Sequence, residues 1–147
     1  MIRTVLGMAV FVAAASVAMA QSDSLSQRKA LMKGNGQGAG ALSKMAKGEE
    51  PYDQAKVNAA FAQISEAAHK APALFPEAPK AGEETRALPK IWETKSDFDA
   101  KMANFTKAVN DNKDKVKNVD DLKLAMGQIS KTCGDCHEPY RKPQQAR

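Results

Sequence analysis

Apolar residues recur every three or four positions along most of the chain, a spacing that predicts amphipathic α-helices. No convincing stretch alternates apolar and polar residues, so we predict no β-strand. Four helical segments follow one another, and we place them at about 25–48, 53–72, 91–112 and 119–143. Their stripes carry two to three apolar residues per heptad, as the core of a helical bundle requires. The sequence therefore predicts an all-α fold, specifically an antiparallel four-helix bundle.

A glycine-rich stretch, Gly34 to Gly40, lies within the first predicted helix. It contains four glycines, and each costs a helix interior about 1 kcal/mol relative to alanine. Two alternatives stay open at this point. Either the helix breaks here, or it continues and its small residues let another helix or a bulky group approach the backbone closely.

Composition narrows the class of protein. A chain of 147 residues has room for one hydrophobic core. An aromatic content of 5% disfavours a β-sandwich or barrel, and two cysteines are too few for a disulfide-stapled scaffold. The prolines from Pro72 to Pro89 predict a connection without a long helix between the middle pair of helices. The modest net charge of +5 is spread along the chain, which argues against nucleic-acid binding.

Residues 1–20 have the pattern of a secretory signal peptide. Arg3 is followed by an uncharged apolar stretch that ends in Ala18-Met19-Ala20, a small-x-small cleavage motif. The alternative is a membrane anchor, but the abrupt change to polar residues after this motif favours cleavage. Residues 21–147 then form one domain with a net charge of +4, because Arg3 is lost. We expect a soluble periplasmic protein with no stable membrane insertion.

The clearest chemical signal is Cys133-Gly134-Asp135-Cys136-His137, near the end of the fourth helix. The pattern C-x-x-C-H is typical of c-type haem attachment. Two thiols add across the two vinyl groups of haem and form thioethers, and the histidine that follows directly reaches the iron from the same side. We therefore predict one covalently bound haem c, attached at Cys133 and Cys136, with His137 as the proximal iron ligand.

Three alternative chemistries for this motif have less support. A thioredoxin-like redox pair needs a βαβ context, which this sequence lacks. A structural zinc site needs four protein ligands, and the only further histidine is His69. A plain disulfide leaves His137 without a role. We expect His69, near the end of the second helix, to be solvated or to cap that helix rather than to bind iron.

A C-terminal C-x-x-C-H on the last of four helices resembles the class II c-type cytochromes, the cytochrome c′ family. The likeness covers essentially the whole of residues 21–147. Residues 27–33, QRKALMK, look like the family's first-helix motif, and residues 89–93, PKIWE, look like the start of its third helix. Tyr140-Arg141 after the cysteine motif looks like the family's haem-binding end. The resemblance implies a four-helix bundle, often a homodimer, with one covalent haem c.

The resemblance also implies roles for two arginines and one methionine. Arg28 matches a first-helix arginine near the haem propionates, and Arg141 matches a basic residue on the proximal side. Met32, four residues after Arg28, falls at the distal position. Many members leave the distal side empty with five-coordinate, high-spin iron, and others place a methionine sulfur on six-coordinate, low-spin iron. The LMKGNG context that begins at Leu31 looks more like the low-spin subgroup.

We therefore predict a periplasmic mono-haem cytochrome that carries electrons by outer-sphere transfer, with its iron held by His137 and Met32. The alternative is a five-coordinate protein that binds nitric oxide or carbon monoxide, in which Met32 is only a core residue. The sequence has no Ser-His-Asp arrangement, carboxylate pair or phosphate loop, so we expect no enzymatic activity. The net positive charge favours redox partner proteins with acidic docking surfaces.

Overall fold

The computed structural model describes residues 6–76, 78 and 84–143, with side chains from residue 24 onwards. These residues form five α-helices and one 3₁₀ turn, and no strand is found among them. The helices are α1 (Leu6–Lys47), α2 (Gln54–Lys70), α3 (Lys90–Glu93), α4 (Lys95–Asn112) and α5 (Val119–Tyr140), and the turn is Ala71–Leu74.

The four long helices form the bundle that the hydrophobic pattern predicts. α1 packs against α2 and α5, and α4 packs against the same two helices, so each long helix has two neighbours. The short helix α3 lies beside α4 and α5 at one end of the bundle. Short loops join α1 to α2 and α4 to α5, which makes the helices of each pair antiparallel. The prediction of an all-α four-helix bundle is confirmed.

Local capping explains where two of the helices begin. Asp53 caps α2, because its side chain accepts a hydrogen bond from the backbone N–H of Lys56 at 3.0 Å. Asn118 caps α5 in the same way, by accepting from the backbone N–H groups of Asp120 and Asp121 at 2.9 Å. Aspartates in the first turn of α5 add favourable charge at the positive end of the helix dipole.

The glycine-rich stretch does not break α1, which is continuous from Leu6 to Lys47. Gly38 shows why a small residue is needed there. A Cβ at this position would lie 2.8 Å from the backbone oxygen of Ala60 and 3.2 Å from Cγ1 of Ile64, both on α2. Of the two alternatives, the continuous helix with a closely approaching neighbour is confirmed at Gly38. Gly48 follows the last residue of the helix, and its φ of 75° suits a residue without a side chain.

Two predicted helix boundaries were wrong, and both lie near the C-terminal end of α5. The third segment is divided at Thr94, which has a non-helical backbone (φ −125°, ψ 50°) and separates α3 from α4. The fourth helix ends at Tyr140 rather than near Pro143. Arg141 is extended there, because it pairs with Ala87 of the preceding loop in an isolated antiparallel bridge. Such a pairing between distant segments leaves no mark in a local hydrophobic pattern.

The buried side chains form two clusters. The larger one, which we call the lower core, fills the end of the bundle that carries the α1–α2 and α4–α5 loops. Its largest members are Leu42, Met45, Val57, Phe61, Ile64, Phe105, Val109, Val116, Leu122, Met126 and Ile129. The second cluster, which we call the upper core, lies where α3 and the 3₁₀ turn meet the end of α5. Its members are Ala71, Phe75, Ile91, Phe98, Met102 and Tyr140.

Within the described residues, no helix combines the length and apolar character needed to cross a bilayer. α1 begins at Leu6, inside the predicted signal peptide, and Arg3 lies outside the described residues. Cleavage after Ala20 stays a prediction.

Candidate haem site

The cysteine motif lies in the last two turns of α5, at the junction between the two cores. Cys133 and Cys136 are three residues apart, so the helix presents both thiols on one side. Cys133 packs against the lower core, and Cys136 packs against the upper core. Both are free thiols and both are half-buried. The pair therefore offers two attachment points, about 4.5 Å apart along the helix axis, to one group that spans the junction.

Burial controls the protonation of all three motif side chains. It raises the pKa of both thiols, and the proximity of Cys133 raises the pKa of Cys136 further. It also lowers the pKa of His137 to about 4, with smaller contributions from the positive charges of Arg141 and Arg86. The imidazole is therefore neutral at pH 7, which leaves a ring nitrogen lone pair free to bind a metal.

The side chain predicted for the distal position lies at the same end of the bundle. Met32 of α1 and Cys136 of α5 both pack against the upper core, and both are half-buried. α1 and α5 are in contact and run in opposite directions. The part of α1 just after residue 24, where its side chains are first described, therefore lies beside the last turns of α5. The structure thus brings together Met32 and the cysteine motif, which are about a hundred residues apart in the sequence.

Trp92 carries the one fully enclosed side-chain donor without a partner in the described part of the chain. Its Nε1–H makes no hydrogen bond, although indole N–H groups normally find an acceptor when buried. The ring packs against the upper core, as Cys136 does, and its centroid lies 6.4 Å from that of Phe75. An acceptor supplied by a bound group would satisfy this donor.

Arg28 lies at the same end, on α1. Its guanidinium donates to the backbone oxygen of Leu74 at 3.3 Å and to Oγ1 of Thr85 at 3.2 Å. It also stacks over the Phe75 ring, with Cζ 4.4 Å from the centroid. These contacts hold a permanent positive charge beside the upper core, where Trp92 and Met32 also lie.

Arg141 lies on the other side of the motif, next to His137. It lines an open pocket of about 360 Å³ together with Arg86, Gly134, His137, Glu138, Lys142 and Pro143. Hydrogen bonds hold the two basic segments together: Lys142 N–H donates to the Arg86 backbone oxygen at 2.8 Å, and Arg86 Nη2 donates to the Lys142 backbone oxygen at 2.6 Å. The desolvation of Arg141 and the neighbouring Arg86 charge lower the pKa of Arg141.

Tyr140 fixes the end of α5 against the start of α4. Its hydroxyl donates to Asp97 Oδ2 at 2.6 Å and shares a 2.9 Å hydrogen bond with Thr94 Oγ1. Its ring meets Phe98 edge-on at a centroid distance of 5.4 Å. Thr94, Asp97 and Arg86 were missed by the sequence reasoning, because only the tertiary fold brings them to the motif.

His69 has no part in this site. It is exposed in the last turn of α2, where Nδ1 lies 2.7 Å from the Ser65 backbone oxygen and Nε2 lies 3.5 Å from Asn110 Nδ2. Among the residues that the structure describes, no three His, Cys, Asp or Glu side chains form a group suited to a metal ion. The zinc alternative gains no support from these residues.

An all-α bundle with C-x-x-C-H on its last long helix defines a haem-binding class of protein, and comparisons with known proteins name the family. The family model described as Cytochrome C′ matches residues 23–141. Cytochrome c-556 of Rhodopseudomonas palustris is 45% identical over 145 residues, which are 96% of this chain and 97% of the relative. Cytochrome c′ of the same organism is 38% identical over 140 residues, 95% of this chain and 94% of the relative.

A solved structure supports the same conclusion. Rhodopseudomonas palustris cytochrome c′ superposes with a TM-score of 0.76 at 37% identity, covering 84% of this chain and 98% of that one. The chain therefore belongs to the cytochrome c′ family, whose proteins bind covalently attached haem c.

The residues present fit such a group. Two thiols face one side of α5, a neutral imidazole follows them, and a thioether lies on the facing helix. The buried Trp92 Nε1–H lacks an acceptor within the described residues, and a carboxylate of a haem propionate is an acceptor of the right chemistry. The cationic Arg28 lies nearby to balance the charge of such a carboxylate.

Proposed function

We propose that this protein is a soluble periplasmic electron carrier whose haem iron is six-coordinate, with His137 and Met32 as axial ligands. The observation that carries the proposal is the packing of Met32 and Cys136 against the same upper core. The thioether on α1 then lies at the same end of the bundle as the imidazole on α5. Bound haem supplies a one-electron ferric–ferrous couple, and ligation by a soft sulfur beside histidine raises its potential.

The chain's own residues have distinct tasks in this proposal. Cys133 and Cys136 hold the macrocycle along the last two turns of α5, and neutral His137 donates its nitrogen lone pair to the iron. Met32 fills the distal position and so excludes exogenous ligands. Arg28 and Trp92 bind the propionates at the α1 and α3 side. Filled axial positions limit geometric change on reduction, which favours outer-sphere transfer.

Absorption spectra of the parent and of Met32→Ala, in both oxidation states, test this assignment. We expect low-spin ferric features in the parent and high-spin ferric features in the variant. The matched control is Met45→Ala, because Met45 lies in the lower core, on the same helix but away from the motif. Identical spectra for the parent and Met32→Ala would show that the sulfur is not on the iron.

A second candidate function is binding of nitric oxide or carbon monoxide by a five-coordinate iron. The observation that favours it is that Met32 packs against the upper core, where it can serve as a core side chain only and leave the position opposite His137 open to a small ligand. Relatives named cytochrome c-556 and cytochrome c′ both match this chain, so the family assignment leaves both candidates. Rapid carbon monoxide binding to the ferrous parent, at the rate seen with Met32→Ala, would favour this second function.

For partners, we propose acidic redox proteins that dock on the basic edge formed by Arg86, Arg141 and Lys142. None of the three forms an ion pair with an acidic residue in the described part of the chain, although Glu138 lines the same pocket. Backbone pairing forces these like charges together beside His137. An acidic partner surface would relieve that repulsion and bring its redox centre close to the haem.

Small charged redox reagents test this docking edge. We expect Arg86→Gln/Lys142→Gln to slow reaction with an anionic reagent several-fold at low salt and to lose most of that effect near 1 M salt. Lys115→Gln/Lys117→Gln is the matched control, because it removes the same number of charges from exposed positions just before the far end of α5, about 30 Å away. An equal effect from both variants would mean that overall charge, not this edge, governs the rate.

Two further expectations belong to the proposal. Export and signal cleavage predict that the mature chain begins at Gln21, which N-terminal sequencing of periplasmic protein checks. The resemblance implies a homodimer, which sedimentation velocity of the holoprotein checks.

A further inference from the structure

Among the residues whose side chains are described, Asn35 is the one polar residue that is buried, with 8% of its surface exposed. It lies on α1, and no hydrogen bond to its carboxamide is found among the described residues. The carboxamide is not among the fully enclosed polar groups, so it still borders open space within the bundle, where a bound group could meet it. A leucine would bury more apolar surface at the same position, so packing alone does not explain an asparagine there.

The position of Asn35 on its helix suggests a role. It comes three residues after Met32 and three before Gly38, which touches α2. It therefore lies about 4.5 Å along the axis from Met32 and about 60° around it, on the buried face of α1. Side chains on a helix lean toward the preceding turn, so the carboxamide of Asn35 leans toward the turn that carries Met32.

Asn35 also lies at the same height in the bundle as the cysteine motif. Met32, one turn before it, packs against the upper core, and Ala39, one turn after it, packs against the lower core. Asn35 thus lies at the junction of the two cores. Cys133 and Cys136 of α5 span that same junction.

We propose that Asn35 is a positioning residue, which donates its carboxamide N–H to the sulfur of Met32 when that sulfur is bound to the iron. The inference rests on the His137/Met32 assignment. A metal-bound thioether keeps one lone pair, and sulfur is a weak acceptor that a neutral amide suits without adding charge to the core. The hydrogen bond would orient the ligand and slow its dissociation, as outer-sphere partners do at other metal sites.

The rate at which carbon monoxide replaces the sulfur on ferrous iron measures this directly, because the thioether must leave first. We expect Asn35→Leu, similar in size but unable to donate, to accelerate the replacement about tenfold. The ferric protein should also lose intensity in the charge-transfer band of methionine-ligated haem, at unchanged histidine ligation. Asn35→Ala is the second variant, with no bulk to disturb folding, and the same direction is expected.

Gln37→Leu is the matched control, because it removes a carboxamide from an exposed position of the same helix. We expect its replacement rate to match the parent's. If both Asn35 variants also match the parent while Met32→Ala changes the spectrum, the inference is overturned and the ligand assignment stands. If Met32→Ala leaves the spectrum unchanged, the assignment fails and the inference fails with it.

Discussion

The two cores of the bundle differ in what they leave unsatisfied. The lower core is closed by capped helix ends and contains apolar side chains that meet one another, such as Leu42, Phe61 and Leu122. The upper core has the free thiol of Cys136 at its edge, an indole N–H with no acceptor in the described residues, and a guanidinium stacked on a ring. One end of the molecule is complete as protein, and the other is built to receive a further group.

Substitutions at the two ends should therefore affect different properties of the protein. A cavity in the lower core removes burial and packing, and should lower the free energy of unfolding without changing the chemistry. A change at the upper core should alter attachment or ligation first. Variants placed at each end therefore test whether the two ends are as separate as their packing indicates.

The largest effect is expected from the thiols. Cys133→Ser/Cys136→Ser removes both attachment points while keeping the size of each side chain. Protein secreted by a host that matures cytochromes c should then carry no covalent haem, as mass spectrometry of denatured protein would show. Leu122→Ala, at the other end of the same helix, should keep the full haem mass. Loss of haem in both variants would contradict the division between the two ends.

The next effect concerns stability at the lower core. Leu122 is fully buried, and Leu122→Ala should lower the free energy of unfolding by about 2–5 kcal/mol. Leu124 is 71% exposed on the same helix, so Leu124→Ala should change it by no more than about 0.5 kcal/mol. Denaturant titration of the two holoproteins measures both values. Equal losses would mean that Leu122 does not fill the core as described.

A smaller effect separates two glycines of α1. Gly38→Ala places a Cβ 2.8 Å from the Ala60 backbone oxygen, and the forced shift should cost about 1–3 kcal/mol. Gly36→Ala meets nothing within 4 Å and should stabilise the helix by about 0.5–1 kcal/mol. Opposite signs of the change in thermal stability are the expected result. A gain from both substitutions would mean that α1 and α2 are farther apart at Gly38.

The smallest effect is a pH dependence at the upper core. The hydrogen bond from Tyr140 lowers the pKa of Asp97, so its contribution to stability is present above the ordinary carboxyl pKa and lost as the pH falls through the lowered one. Tyr140→Phe removes this contribution. The difference in melting temperature between parent and variant should therefore narrow from pH 6 toward pH 3. A constant difference would exclude a titrating contribution from this pair.

Much of the architecture could be predicted because patterns of neighbouring residues in the sequence determine it. Helical periodicity predicted the four helices of the bundle, and C-x-x-C-H with the QRKALMK stretch indicated the haem and its family. The break at Thr94 and the end of α5 at Tyr140 could not be predicted, because both depend on contacts between segments far apart in the chain. The basic edge beside His137 was missed for the same reason.

The hydrophobic pattern also could not predict which polar groups are buried. Asn35 occupies a stripe position that periodicity alone marks as apolar, and Trp92 is simply an aromatic core residue in sequence. Their meaning depends on which neighbours fail to hydrogen-bond them, which only the packed structure reveals.

Ligation of the iron by the Met32 sulfur can be decided by NMR of the ferrous holoprotein with labelled methionine methyl groups. Residues 21–147 contain four methionines, at positions 32, 45, 102 and 126. An axial methionine lies over the porphyrin ring, whose ring current moves its methyl signal far upfield. We predict one such signal in the parent and its loss in Met32→Ala. Four methyl signals in the ordinary range, or an upfield signal that survives Met32→Ala, would contradict this ligation.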